Sequence, residues 1–229
     1  MLFRSYPLVD RKGALHAFAL RFHAIGYKDR KERGRCELYH LVSGDGGVTW
    51  SEPTRVDFGH GYTGAMNSFI ELKSGRILGA LSYTSDHFVE GVGQHEFRSV
   101  SFYSDDAGKT WRVGQDDIQV PFGPQVVHPG AIEPVMVELA PNRVRMLIRT
   151  QTLRFFESLS SDGGATFSAP APSRFMAPDA PGAILRNEVT HNTFKIYWPL
   201  ARTWVITLDA WASGVLPLAP LKTMSSLGV

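Results

Sequence analysis

The stretch Ser43-Gly44-Asp45-Gly46-Gly47-Val48-Thr49-Trp50 decides the fold, because two further segments repeat its pattern. Residues 104–111 and 160–167 also follow Ser-x-Asp-x-Gly-x-Thr-aromatic, and the three copies begin 61 and 56 residues apart. A period of that size is typical of repeat architectures. An aspartate in a turn accepts bonds from backbone N–H groups a few residues on, and glycine permits a positive φ. We therefore predict structural, turn-forming roles for Asp45, Asp106 and Asp162.

The sequence around each motif predicts β-hairpins and no helices. Residues 68–81 and 134–149 each hold two apolar runs separated by a turn that contains Gly or Asn. A further strand precedes the motif, as at 98–103, so the motif joins the third strand of a unit to the fourth. The predicted units lie near residues 7–57, 62–122, 131–175 and 180–210. Four-stranded antiparallel units in series are the blades of a β-propeller, so the predicted fold class is all-β.

Composition limits the class of protein and its partners. The chain has 229 residues, of which 43% are hydrophobic and 20% charged, as in globular domains. A net charge of +2 predicts no nucleic-acid partner, and no apolar run reaches the ~18 residues of a membrane span. The single Cys36 excludes an intrachain disulfide, and no spacing of ligand residues predicts a metal or cofactor. The N-terminus lacks the apolar stretch of a signal peptide, which leaves the compartment open between the cytoplasm and secretion of a longer product.

The three repeats resemble the Asp boxes, or BNR repeats, of the sialidase (neuraminidase) superfamily, and the resemblance covers about residues 35–200. It implies a propeller that has six blades in that family, whereas this chain has material for about four. We therefore expect residues 1–229 to form a single, incomplete propeller domain with an atypical C-terminal tail at 211–229. The resemblance also implies a glycoside hydrolase whose partner is an acidic glycan or glycoconjugate, and it leaves the oligomeric state open.

A second stretch of sequence indicates which residues we expect to be catalytic. Residues 130–139 and 145–150 look like the sialidase segment that holds a catalytic Glu and, one hairpin later, an Arg. In that family the Glu polarises a Tyr nucleophile, an Asp serves as acid/base, and an Arg triad holds the sialic acid carboxylate. The catalytic candidates that follow are Glu133, Asp86 and Tyr62, and the carboxylate-binding candidates are Arg149 and Arg154.

Topology places these candidates on one face of the predicted blades. Loops between strands one and two, and between three and four, open on the face that carries the motifs. The remaining loops open on the opposite face, where we expect a long loop at 84–97. Acids, bases and an arginine that converge on one face are what an active site requires. The substrate-binding candidates on this face are Arg149, His60, His87, His128, Gln151 and Asp179, and the resemblance adds Arg154.

Two other functions are compatible with the same residues. A polysaccharide lyase would use a histidine (His60, His87 or His128) with Tyr62 to abstract a proton beside a uronate carboxylate. A non-catalytic glycan-binding propeller would need no nucleophile, and the absence of a recognisable N-terminal Arg motif favours it.

Overall fold

The computed structural model describes residues 3–22, 36–115, 117–124, 126–176, 181–186 and 194–197. Regular structure in these ranges is entirely β, and no helix there could cross a membrane. Three four-stranded antiparallel sheets follow one another along the chain, and a two-stranded sheet comes after them. Strand order within each sheet equals chain order, so every sheet is a series of hairpins. The all-β prediction is confirmed.

The strand bounds of the first three sheets lie close to the first three predicted units, and most of the fourth predicted unit lies outside the described residues. The first sheet contains β1 (Phe3–Val9), β2 (Leu15–Phe22), β3 (Cys36–Ser43) and β4 (Thr54–Val56). The second contains β5 (Tyr62–Glu71), β6 (Ile77–Val89), β7 (Gln94–Ser104) and β8 (Arg112–Val113). The third contains β9 (Ile132–Ala140), β10 (Arg143–Arg149), β11 (Arg154–Ser160) and β12 (Ala171–Met176). The last pair is β13 (Ala183–Arg186) with β14 (Phe194–Tyr197), and the predicted tail at 211–229 lies outside the described residues.

Each repeated motif forms the turn between the third and fourth strands of its sheet, as predicted. The Asp45 carboxylate accepts the hydroxyl of Thr49 at 2.6 Å and the N–H of the same residue at 2.9 Å. The same two bonds recur between Thr110 and Asp106 and between Thr166 and Asp162. Hydrogen bonds lower the pKa of the Asp45 and Asp106 carboxyls to about 2, and the bond from the threonine hydroxyl is the largest influence in each case.

The core consists of apolar layers between successive sheets. The first strand of each sheet contacts the first strand of the next, so β1, β5, β9 and β13 are successive neighbours. Phe18 stacks on Phe69 between the first two sheets, with ring centroids 3.6 Å apart. Fully buried Leu78 and Met146 belong to the layer between the second and third sheets. Alternate residues of a strand point to opposite sides, so the second and third sheets each contribute to two of these layers.

Buried serines also join the second sheet to the third. Ser82 Oγ accepts the N–H of Glu133 at 2.7 Å, and the hydroxyl of Ser99 donates to the carbonyl of Ala131 at 3.2 Å. Ser68 makes an equivalent bond farther along β9. A buried hydrogen bond of this type contributes about 1 kcal/mol. These bonds fix the start of β9, and with it Glu133, against the second sheet.

Candidate active site

The strand register gathers most of the predicted site residues at the end of the sheets opposite the motifs. Tyr62 of β5 pairs with Tyr83 of β6, which in turn pairs with Arg98 at the start of β7. Arg149 at the end of β10 pairs with Ile132 at the start of β9. The motifs follow the other ends of β7 and β11. The two faces that topology predicts are therefore distinct in the structure.

Glu133 and Arg149 form an ion pair at this end of the third sheet. Glu133 Oε2 lies 2.5 Å from Arg149 Nη1, and the two side chains are 17% and 14% exposed. The backbone of Glu133 has a φ of +49°, which is uncommon for a residue that carries a side chain and unfavourable before Pro134. Strained backbone of this type concentrates at functional sites. The pair therefore combines partial burial, opposite charges and a conformation that its surroundings must impose.

Gly130 is the residue that sets the entry to β9. Its φ is +104°, and a Cβ added there would lie 2.1 Å from the carbonyl oxygen of Phe97. The Phe97 N–H donates to the carbonyl of Pro129 at 2.7 Å, and the Phe97 carbonyl accepts the N–H of Ala131 at 2.8 Å. Only glycine fits this close approach, because any side chain would displace the backbone of β7. The chain is thus held on both sides just before Glu133.

A second charged cluster lies at the start of β7, and its central residue was not among the predicted ones. Glu96 is 5% exposed, and its Oε2 accepts bonds from His87 Nδ1 at 2.9 Å and from Arg98 Nη2 at 3.0 Å. Arg98 also pairs with Asp117. The sequence signal was the spacing Glu96-x-Arg98, since residues two apart on a strand share a face.

The loop expected at 84–97 is mostly strand, and that expectation is wrong. β6 continues to Val89 and β7 starts at Gln94, so only four residues form the turn. Phe88 pairs with His95 and their rings pack edge-on at 5.2 Å, which extends the hairpin beyond the rest of the sheet. The register is irregular between Thr84 and Phe88, where residues 85–87 lie opposite Glu96 alone. Bulges of this type change the direction of side chains beside active sites.

Three predicted histidine and glutamine residues contribute packing and backbone contacts to this end. His60 stacks on the Tyr83 ring with centroids 3.8 Å apart, and His128 packs edge-on against Phe97 at 5.7 Å. Gln151 Oε1 accepts the N–H groups of Val127 and His128 at 2.5 and 2.6 Å. Gln151 therefore orders the segment that leads to Gly130.

The remaining predicted residues have other surroundings. Tyr62 is 3% exposed and packs against Phe58 in the layer between the first two sheets. Asp86 is exposed on the bulged part of β6, and Arg154 is exposed with Nη1 donating to the carbonyl of Ser173 at 3.4 Å. Asp179 lies outside the described residues. In the part of the chain that the structure describes, no three His, Cys, Asp or Glu side chains are grouped to hold a metal ion.

Comparisons with known proteins identify the family of this chain. The family model for the BNR repeat-like domain matches residues 5–189, a range that includes the three motifs and both charged clusters. The chain belongs to this family, within the sialidase and BNR repeat superfamily.

Individual relatives extend the comparison. A sialidase from Micromonospora viridifaciens is 31% identical over 211 residues, which cover 80% of this chain and 30% of that protein. A solved protein of unknown function from Dyadobacter fermentans matches with a TM-score of 0.64 and 20% identity, over 89% of this chain and 60% of that one. The Hadza microbial sialidase Hz136 matches with a TM-score of 0.63 and 16% identity, over 84% of this chain and 39% of that one. The two structural matches show a shared fold, and this chain spans about 30% of the length of the M. viridifaciens sialidase.

Proposed function

We propose that this chain is part of a sialidase-like glycoside hydrolase that removes terminal sialic acid, or a related acidic sugar, from glycans. The observation that carries the proposal is the ion pair of Glu133 with Arg149 at the end opposite the motifs. Family membership supports it, because the M. viridifaciens relative is a sialidase. The strained φ at Glu133 supports it further, since a purely structural ion pair would not require that conformation.

In this proposal Arg149 recognises the substrate and Glu133 acts on the nucleophile. A guanidinium presents five donors in a planar fork, so Arg149 can bond Glu133 and a sugar carboxylate together. Charge-assisted bonds to a carboxylate are roughly twice as strong as neutral ones, which favours an acidic sugar over a neutral one. Glu133 raises the basicity of a tyrosine nucleophile, the arrangement implied by the superfamily, and this departs from the usual pair of carboxylates.

We propose further that the sheets are blades of a sialidase-type β-propeller and that residues 1–229 form one incomplete domain. The contacts between successive first strands support this arrangement, because the inner strands of neighbouring blades meet around a propeller axis. This chain spans 30% of the sialidase relative. A product as long as that relative has room for further blades.

The direct test is hydrolysis of a fluorogenic sialoside by the full chain and two variants. Glu133→Gln and Arg149→Ala should each lower kcat/KM by about 10²-fold or more, because each removes a charge from the reacting site. Exposed Glu52→Gln and Arg112→Ala are matched controls on the same chain and should retain the activity of the unaltered protein. Equal activity in Glu133→Gln and the Glu52→Gln control would contradict the proposal.

A lyase is the second candidate, and the stacking of His60 on Tyr83 favours it. This contact lies beside Tyr62 on the same sheet and keeps an imidazole next to aromatic rings at the candidate site. A lyase would raise the ultraviolet absorbance of a uronate polymer as the unsaturated product forms. It would release no fluorophore from the sialoside. Binding to a glycan array with neither reaction would instead identify a carbohydrate-binding module.

A further inference from the structure

We propose that Ser82 is the positioning residue of the candidate site, because its hydroxyl holds Glu133 in the backbone conformation that directs the carboxylate toward Arg149. Ser82 is 1% exposed, so it acts through Glu133 and does not touch the substrate. This inference rests on the proposed glycosidase function and deepens it, since it adds a residue on which the role of Glu133 in that reaction depends.

β9 contains a bulge at Glu133 and Pro134. These two residues lie opposite Ile148 alone, because the register with β10 shifts at this point. The packing shows the same shift, since Ala131 and Met136 both belong to the layer between the second and third sheets although their positions differ by five. Residues an odd number apart on a regular strand face opposite sides, so β9 accommodates one extra residue between them. Proline within a sheet is found at edges and bulges, because it has no N–H to donate.

The bulge brings Glu133 to Arg149. Arg149 pairs with Ile132, and paired residues of antiparallel strands have their side chains on the same side of the sheet. In a regular strand, Glu133 would follow Ile132 on the opposite side, and its carboxylate would point away from Arg149. The φ of +49° at Glu133 breaks this alternation, and Oε2 then lies 2.5 Å from Arg149 Nη1. Bulges change the direction of side chains in this way.

Ser82 stabilises this bulge from the second sheet. The extra residue of a bulge has no backbone partner in the neighbouring strand, and an unpaired buried N–H is unfavourable. Ser82 Oγ accepts the N–H of Glu133 at 2.7 Å. The conformation of Glu133 is itself unfavourable, because φ is positive and a proline follows. The hydrogen bond to Ser82 therefore offsets a cost that the pairing of β9 with β10 does not offset.

Ser68 makes a similar bond to an ordinary part of the same strand. It is buried on β5, next to β6, and its Oγ accepts the N–H of Met136 at 3.0 Å. Met136 pairs with Met146 in the regular part of β9, and its φ is not positive. Both serines therefore join the second sheet to β9, but Ser82 is the one that bonds a bulged residue of the candidate site. This difference separates the role of Ser82 from general support of the fold.

Matched serine variants and a double-mutant cycle test the proposal on the fluorogenic sialoside. Ser82→Ala should lower kcat about tenfold or more and keep KM within about threefold, because Glu133 turns away while Arg149 still binds the sugar carboxylate. Ser68→Ala is the control and should keep both constants, although it loses a hydrogen bond of the same type. Adding Ser82→Ala to Glu133→Gln should cause no further loss, since the two residues act as a unit.

Two kinetic results would overturn the proposal. One is an equal kcat in Ser82→Ala and Ser68→Ala, and the other is a full additional loss when Ser82→Ala is combined with Glu133→Gln. Ser82→Cys replaces the hydroxyl with a weakly accepting thiol of similar size. It should show the same loss of kcat, and it takes the place of Ser82→Ala if that variant does not fold.

The backbone of Glu133 gives a measurement that needs no turnover. In NMR of the unaltered full chain, the coupling between the Glu133 amide proton and Hα should correspond to a positive φ. It should move toward the value of an extended strand in Ser82→Ala and stay the same in Ser68→Ala. A coupling that Ser82→Ala leaves unchanged would overturn the positioning role whatever the activity. If the unaltered chain hydrolyses no sialoside, the proposed function and the catalytic consequence of Ser82 both fail, and the coupling alone decides whether Ser82 holds Glu133.

Discussion

Gly130 determines where Glu133 lies, although it carries no chemical group of its own. A positive φ and the carbonyl of Phe97 leave no room for a side chain at this residue. The hydrogen bond from the Glu133 N–H to Ser82 Oγ then fixes the backbone at the start of β9. The geometry of the ion pair is thus imposed by contacts with the second sheet.

Gly130→Ala should therefore destabilise the protein and distort the site. We expect a loss of about 2–4 kcal/mol in the free energy of unfolding, because the added methyl group both clashes and requires an unfavourable φ. Urea denaturation measures it. Gly123→Ala is the control, since a Cβ there meets open space and φ is not positive, and it should change stability by less than about 0.5 kcal/mol. A Gly130→Ala variant as stable as this control would contradict the close approach.

Individual site residues could be predicted only where the signal was local. Glu133 and Arg149 lie in a stretch that resembles a known segment, so both could be named from the sequence. The only local signal for Glu96 is its spacing from Arg98, and that spacing does not reveal the burial of Glu96 or its place opposite a bulge in another strand. The positive φ of Glu133 could not be predicted from the sequence either, because the contacts around it involve residues more than thirty positions away.

At the scale of the element, the repeated turn was the most predictable part of the molecule. Its carboxylate, hydroxyl and backbone partners lie within four residues of one another, so spacing alone specifies the bonds. The hairpin at 84–97 was harder to predict. Its polar residues are typical of a loop, but Phe88 and His95 pack together and extend both strands.

Thr110→Val should weaken the second turn in a manner that depends on pH. Hydrogen bonds lower the pKa of Asp106 from its usual 3.8 to about 2, and the bond from the Thr110 hydroxyl is the largest of these influences. A carboxyl whose pKa is depressed on folding contributes stability above pH 3.8 and loses it as pH falls toward 2. The variant should be about 1 kcal/mol less stable than the unaltered protein at pH 6, with the difference shrinking below pH 3.8. Urea denaturation across pH measures it, and a difference that is constant across pH would reject the role of the carboxylate.

At the scale of the whole molecule, a chain of buried polar groups in the first sheet packs against the second sheet. His16 Nδ1 lies 2.9 Å from His40 Nε2, and His16 Nε2 lies 3.3 Å from Asp10. His40 also lies against the second motif, where a Cβ on Gly108 would be 2.1 Å from its ring. The sequence predicted the sheets and their order, but these histidines were not singled out because nothing local marks a buried histidine.

This chain of groups predicts how the stability of the whole protein changes with pH. Burial, followed by the charge of His16, lowers the pKa of His40 from 6.5 to about 4. As pH falls, His40 is protonated near pH 6.5 in the unfolded chain but only near pH 4 in the folded protein. The contribution of His40 to stability is therefore complete above pH 6.5 and decreases below it. The loss between pH 7 and pH 5 should be about 2 kcal/mol. His40→Gln should flatten this dependence, whereas half-exposed His60→Gln should keep it. Nitrogen-15 NMR should find the His40 ring neutral at pH 5, and a protonated ring at that pH would contradict the prediction even if the variant failed to fold.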